Sequence, residues 1–405
     1  MDNNLDKEKI NILALSWRDI KAPKMGGAEV LSHAMISKLD NTIYNVVHYS
    51  PVYKGSLTIE NIDGVHYIRK GNLCTVIFHA FVYYLFNHRY ISYVIDECNT
   101  HRFFTPFYVS RKKRVLFIHQ LTREIWDINA KFPLNVIGKK METPMLRIYR
   151  KGKVITVSQS TKNELIELGF DKNKIFIMPN GINIKIKEIM GCNISKENDP
   201  TFIYVGRYAL YKGIEVCIKA FASIKKKFPK AKLWLVGKEN SEFLNSNIAP
   251  VLVKEELKIH FCNGTPSCFI SKEMCEEDLV KSDVIVWGFV SEKKKYELMK
   301  KAHLLLFPSV REGWGIIVTE AGILGTPSLV SNVPGARDAV NYGQAGFLCP
   351  NRNPDEFGKY MINIISDKNV YDEMVKNAYA YSITHLWDSK EQNSAIKKLE
   401  QNVFI

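Results

Sequence analysis

Apolar residues come in short blocks through the first half of the chain. "INILALS" (10–16) is a short apolar run of strand length, fit for a buried strand. After a loop holding Pro23, Gly26 and Gly27, Leu31, Met35 and Leu39 fall four apart, the spacing of one helix face. "YNVVHYS" (44–50), "ISYVIDE" (91–97), "RVLFIHQ" (114–120) and "KVITVSQS" (153–160) are further short runs with helical stretches between them. Strand alternating with helix predicts a parallel sheet covered on both faces, filling residues 1 to about 180.

"MPNGINI" (178–184) is rich in turn formers, and the polar "KIKEIMGCNISKENDP" (185–200) reads as a linker closed by proline. The pattern then restarts. "TFIYVG" is a strand, "KGIEVCIKAFASIKKKF" a helix and "AKLWLVG" a strand. "SDVIVWGFV" and "AHLLLFPS" are two more strands, separated by the helical "SEKKKYELMKKA"; "TPSLVSN" is another, and "NPDEFGKYMINIISD" a last helix. The expected organisation is α/β: two Rossmann-like, doubly wound domains at 1–184 and 201–382, joined by 185–200, with 383–405 as a closing segment. Such sheets bind ligands beyond the carboxyl ends of their strands, and a cleft between the domains is the expected place.

Composition adds one asymmetry. The 405 residues hold 56 Lys and Arg against 42 Asp and Glu, a formal +14. That surplus suits nucleic acid, acidic lipid or phosphorylated small molecules, and equally a lysine-rich soluble surface. The start of the chain is polar and shows no export signal. The most apolar stretch, "LCTVIFHAFVYYLF" (73–86), has 14 residues, short of the ~20 that span a bilayer. It reads as a core helix, with a lipid-facing surface helix as the alternative. Eight scattered cysteines without an export signal point to reduced thiols in the cytoplasm. No Gly-x-Gly-x-x-Gly motif occurs, which argues against a dehydrogenase.

Two strand-end loops carry the candidate chemistry. In "VGRYALYKG" (205–213), Gly206 lets the chain turn at the strand edge. Arg207 offers a planar fork for phosphate oxygens and Lys212 a mobile point charge. Cations beside a helix N-terminus are poorly placed unless an anion lies between them. In "REGWGIIVTEAGILG" (311–325), Glu312 lies on the loop and Glu320 about a turn inside a helix that starts near Gly315. Gly313 and Gly315 let a ligand reach the backbone, and the amides of Gly315, Ile316 and Ile317 suit a phosphate. Glu320 can take hydrogen bonds from a vicinal diol, and Glu312 from hydroxyls on the other side. The set fits a nucleoside diphosphate sugar.

These motifs resemble the retaining glycosyltransferases of family 4, which have the GT-B fold and a signature of two glutamates separated by seven residues. Trp314 stands where that signature has Phe. "SWRDIKAPKMGGAEV" resembles the family's amino-terminal glycine loop, "VSQSTKNELIELGF" with "IMPNGI" its interdomain approach, and "LWDSKEQNSAIKKLE" its last helix, which crosses back to the first domain. The resemblance implies that Arg207 and Lys212 hold the donor pyrophosphate and stabilise the leaving nucleoside diphosphate. It gives Glu320 the ribose, Glu312 the transferred sugar, and the turn from Gly313 through Trp314, Gly315, Ile316 and Ile317 the sugar and β-phosphate. Phe289 and Val290 fall near the base, and Gly26 and Gly27 on the loop facing the diphosphate. His119 matches a histidine beside the reacting centre. The implied reaction retains configuration and needs no metal or cofactor, because the two cations take that role. The nucleotide sugar is a co-substrate, and the acceptor is a glycan, a lipid-linked glycan or a small glycoside.

The spacing of Cys262, Cys268 and Cys275 is too wide for an ordinary zinc site, and the stretch from about 239 to 282 reads as an insertion. "RKKR" (111–114) is a solvated turn or a contact for lipid headgroups. The expected place is the cytoplasm, with peripheral contact at the inner face of an anionic membrane as a further option. The alternatives are another GT-B enzyme, such as a sugar-nucleotide epimerase, or a non-enzymatic basic binding protein. The second would lose its partner steeply with salt, and nothing in it accounts for the ordered Arg, Lys, Glu and Glu. No nucleic-acid partner is expected.

Overall fold

The structure, a computed structural model, describes residues 4–23, 25–98, 101–184, 195–238, 240–262, 281–350 and 352–404. Two compact units emerge. The first holds residues 1–123, 136–181 and 387–405, the second 124–135 and 182–386.

The first unit is built on eight strands: β1 Ile10–Leu15, β2 Tyr44–Ser50, β3 Ile59–Ile62, β4 Val65–Arg69, β5 Ile91–Cys98, β6 Arg114–Ile118, β7 Lys153–Thr156 and β8 Ile175–Ile177. Their order is β3-β4-β2-β1-β5-β6-β7-β8. Pairing is parallel except for the edge hairpin β3–β4. That hairpin escaped the reading by helix–strand alternation. Its signal is the dipeptide Asp63-Gly64, both at positive φ (51° and 83°), as a tight two-residue hairpin turn requires. β1 is buried along nearly its whole length, as expected of an interior parallel strand.

The stretch expected to be a core helix forms helix Val76–Asn87, which buries only one face. The carboxyl-terminal helix Lys390–Val403 packs on the first unit's sheet through Ile396, Leu399 and Val403. Lys153 Nζ donates to the Val403 carbonyl at 2.7 Å, and Phe404 sits edge-on to Tyr44 and Tyr93. Trp387 covers Gly181 so closely that a Cβ there would lie 2.3 Å from the ring.

The second unit has seven parallel strands: β9 Thr201–Val205, β10 Lys232–Val236, β11 Ile259–Phe261, β12 Val284–Gly288, β13 Leu304–Phe307, β14 Ser328–Ser331 and β15 Phe347–Cys349. The order is β11-β12-β10-β9-β13-β14-β15. The short β11 and β15 were not expected; three residues give too little periodicity to read. Of the expected linker, 185–194 lie outside the described residues. Lys196 is tied to the second unit, donating to the Ala302 carbonyl and Thr326 Oγ1 at 2.6 Å each.

His303, just before β13, joins that strand to β9. The Thr201 amide donates to His303 Nδ1 at 3.1 Å, so this nitrogen must be unprotonated. Burial, then Lys196, pushes the imidazole down to about 4. A depressed histidine contributes stability above its unfolded value near 6.5 and loses it as pH falls toward 4. The second unit is therefore expected to lose up to about 1.4 kcal/mol per pH unit across that window through this group. Denaturant titrations at pH 7 and 5 check it; an H303Q variant with the wild-type pH slope would refute it.

Candidate active site

The carboxyl edge of the second unit's sheet is lined by glycines because its loops touch backbone to backbone. After β9, the Gly206 amide donates to the Val236 carbonyl, and the Gly237 amide to the Gly288 carbonyl, each at 2.9 Å. A Cβ on Gly237 would sit 1.9 Å from the Gly206 oxygen, at a φ of +153° that side chains avoid. Gly237 was not singled out from sequence; its signal is a glycine closing an apolar run, as at Gly206.

The loop 206–213 is then pressed onto the loop after β13. The Val310 amide donates to the Tyr211 carbonyl at 2.8 Å. Gly213, at φ +75°, passes so close that a Cβ would lie 2.3 Å from the Pro308 oxygen. Arg352 clamps the pair, donating to Pro308 O at 2.7 Å and to Glu215 Oε1 at 3.1 Å. The result joins two expected residues a hundred positions apart. Lys212 Nζ is 2.5 Å from Glu312 Oε1, and neither side chain is more than 17% exposed. The ammonium also lies over the rings of Tyr211 and Phe307, 5.3 and 5.6 Å from their centroids. Arg207 is exposed, with Nη2 3.3 Å from the Tyr211 hydroxyl. Two cations and a carboxylate thus share one sheet edge.

Glu312 and Gly313 rest on a residue that sequence reasoning missed. A Cβ on Gly335 would lie 2.1 Å from the Glu312 oxygen, and the Glu312 amide donates to the Pro334 carbonyl at 3.2 Å. Its neighbour Arg311 turns inward to Glu124 Oε2 at 2.7 Å. Gly315, at φ +110°, caps helix Ile316–Ile323. Helix geometry leaves the amides of Ile316 and Ile317 without an intrahelical partner. Trp314 turns inward. It is buried, its Nε1–H donates to Thr319 Oγ1 at 3.0 Å, and its ring lies 4.9 Å from His385. The larger indole, with a donor to satisfy, locks the turn and leaves only backbone for a ligand.

Glu320 is buried, and burial pushes its carboxyl above the usual range. Lys295, on helix Glu292–Lys301, opposes that shift: its Nζ is 3.0 Å from Glu320 Oε2, near enough for ion pairing though poorly aligned as a hydrogen bond. The same ammonium lies 2.7 Å from Glu292. Burial draws Lys295 down, yet the two carboxylates carry it above its ordinary value. In the sequence Lys295 is one lysine in a charged helix, and nothing sets it apart. Phe289 projects from the end of β12, 79% exposed, with Val290 half-buried beside it.

The other expected residues belong to the first unit. On the loop expected to face a diphosphate, the Gly26 amide is taken by Glu29 Oε2 at 2.7 Å, while Gly27 is exposed. A carboxylate capping its own helix satisfies that donor internally. His119 follows β6, buried, with its ring 4.4 Å from Phe117. Burial pushes it down to about 4, so at neutral pH it is an uncharged imidazole. Cys262 is half-buried with a free thiol; Cys268 and Cys275 lie outside the described residues.

Comparison with known proteins matches the model of glycosyl transferases group 1 to residues 185–381 and that of Glycosyltransferase Family 4 to residues 25–186. An uncharacterized glycosyltransferase of Methanocaldococcus jannaschii is 26% identical, over 58% of this chain and 56% of that protein. The capsular polysaccharide biosynthesis glycosyltransferase CapM of Staphylococcus aureus is 25% identical, over 62% of this chain and 60% of that one. The chain thus spans little more than half the length of these curated relatives. The fold matches that of Anabaena Alr3699/HepE in complex with UDP and glucose, with a TM-score of 0.66 at 15% identity, covering 98% of this chain and 99% of that one. The two family models abut to cover residues 25–381 without overlap beyond the junction, and the chain belongs to the glycosyltransferases of the GT-B fold.

Proposed function

We propose that the second unit binds a nucleoside diphosphate sugar at the carboxyl edge of β9 and β13, and that the enzyme transfers its hexose to a glycan, a lipid-linked glycan or a small glycoside. The observation that carries this reading is the Lys212–Glu312 pair beside the start of helix Ile316–Ile323. In this reading the pair and the helix start would set positive charge and peptide amides against the departing diphosphate, and an acid against a sugar hydroxyl. The Anabaena neighbour's UDP supports a uridine nucleotide, and the capsular relative supports a glycan acceptor.

In the transfer, the bond from the anomeric carbon to the phosphate oxygen breaks as positive charge grows on the sugar. Arg207 and Lys212 balance the charge gathering on the departing diphosphate, and in this reading no metal is needed. The acceptor oxygen bonds on the face the phosphate leaves, so configuration is retained, and its proton passes to the leaving phosphate. The setting proposed is the cytoplasm, in keeping with the free thiols of Cys74, Cys98, Cys217, Cys262 and Cys349.

Glu320 is placed to accept the ribose hydroxyls, and the Lys295 ammonium 3.0 Å away favours the ionised form that burial opposes. E320A is expected to weaken UDP binding by about tenfold to a hundredfold, the loss of hydrogen bonds to a charged acceptor. Calorimetry with UDP measures it, with GDP and ADP in parallel. Unchanged affinity in E320A would remove the ribose role and with it the placement of the donor.

A further inference from the structure

Helix Val76–Asn87 plays no part in the transfer chemistry. Its sequence, VIFHAFVYYLFN, contains no acidic or basic residue other than one histidine. A helix apolar all round belongs in a core or against lipid. Here the inward residues Val76, Ala80 and Tyr84 already complete the first unit's core. The outer face leaves Phe78, Leu85 and Phe86 65%, 53% and 80% exposed. Phe107, 74% exposed, lies alongside, because its neighbour Tyr108 stacks edge-on against Phe81 and Tyr84 at 5.3 and 5.7 Å.

Within residues 64–123 the exposed side-chain charge has one sign. Lys113 Nζ donates to the His88 and Ile91 carbonyls at 2.8 and 2.6 Å, which brings the Arg111–Arg114 run to the end of the helix. Arg89 and Lys112 are exposed there. Between Gly64 and Arg123 nine Lys and Arg stand against two acids, Asp96 and Glu97. Both acids are buried, so this stretch shows no negative side chain to solvent. Basic residues are spread along the whole chain; what this stretch lacks is exposed acid.

We propose that the outer face of helix Val76–Asn87, with Phe107, docks on an anionic lipid bilayer. The phenylalanines and Leu85 enter the headgroup boundary while Arg89 and Lys112 pair with lipid phosphates. Apolar surface rimmed by cations suits that partner. A second copy of the chain would bring like charges together, and nucleic acid would meet a helix face with no cation on it. The inference is independent of which sugar is transferred, and its test uses no donor.

The full chain is floated with vesicles of phosphatidylcholine, with and without phosphatidylglycerol. Binding is expected only with the anionic lipid. F78S/F86S/F107S is expected to lower partitioning by at least about tenfold, and R89E/K112E to abolish the preference for phosphatidylglycerol. A separate F86W variant should show its added fluorescence quenched by brominated acyl chains. Failure of the wild type to float with anionic vesicles overturns the proposal. So does full binding by the triple variant, binding of an oligonucleotide in place of vesicles, or a dimer that the triple variant breaks. Should the triple variant unfold, the F86W measurement decides alone, and absence of quenching overturns the proposal.

Discussion

Lys212→Ala is expected to lower turnover by about 10²–10³-fold, the loss seen when one preorganised donor to a developing negative charge is removed. Its location gives the reason. Lys212 ends a short 3-10 turn directly before helix Ile214–Lys227, where the helix dipole disfavours a cation. Glu312 offsets that cost in the structure, and the departing diphosphate would do so during reaction. Stability should fall by about 1–3 kcal/mol, the cost of leaving the mostly buried Glu312 carboxylate without its partner. Steady-state kinetics and thermal unfolding separate the two effects. K212R should recover part of the rate by restoring the charge, whereas K212M should not. Turnover in K212A within a few fold of wild type would end the case for diphosphate stabilisation. Equal losses of turnover and folding would reduce Lys212 to a structural partner of Glu312.

Gly335→Ala is expected to be nearly as damaging, although Gly335 carries no chemistry. Its φ is +78°, and a Cβ would lie 2.1 Å from the Glu312 oxygen and 2.8 Å from the Gly313 carbonyl carbon. Backbone cannot yield as a flexible side-chain tip can, so the Glu312–Gly313 turn must shift. A displacement near 1 Å at a reacting centre costs on the order of a hundredfold in rate, and strain adds about 1–3 kcal/mol of destabilisation. Gly325 supplies the control, with a φ of +72° and nothing within 4 Å of the place a methyl carbon would take. G325A should carry the conformational cost alone and keep its activity. If G335A and G325A behave alike in rate, contact with Glu312 is not what Gly335 provides.

The sequence alone carried the α/β repeat, because parallel strands buried on both faces read as short apolar runs, as in β1, β2 and β13. It also singled out the ordered Arg207, Lys212, Glu312 and Glu320 as candidates, since ligands of such sheets sit at strand ends and these residues lie on the loops after β9 and β13 or in the first turns of the helix that follows. It did not reveal β11 or β15, whose three residues are held by pairing with a neighbour rather than by their own pattern. Nor did it reveal the partners within the site. Lys295 reaches Glu320, Gly335 supports Glu312, and Arg352 clamps Pro308 only because separate loops converge at one sheet edge. Tertiary packing also decided two points that the sequence left open: Trp314 faces inward with its indole N–H on Thr319, and the Gly26 amide is satisfied by Glu29. Residue type and local spacing fix which groups can act on a ligand. Which of them are buried, paired or left free depends on contacts between distant segments, and those exist only once the chain has folded.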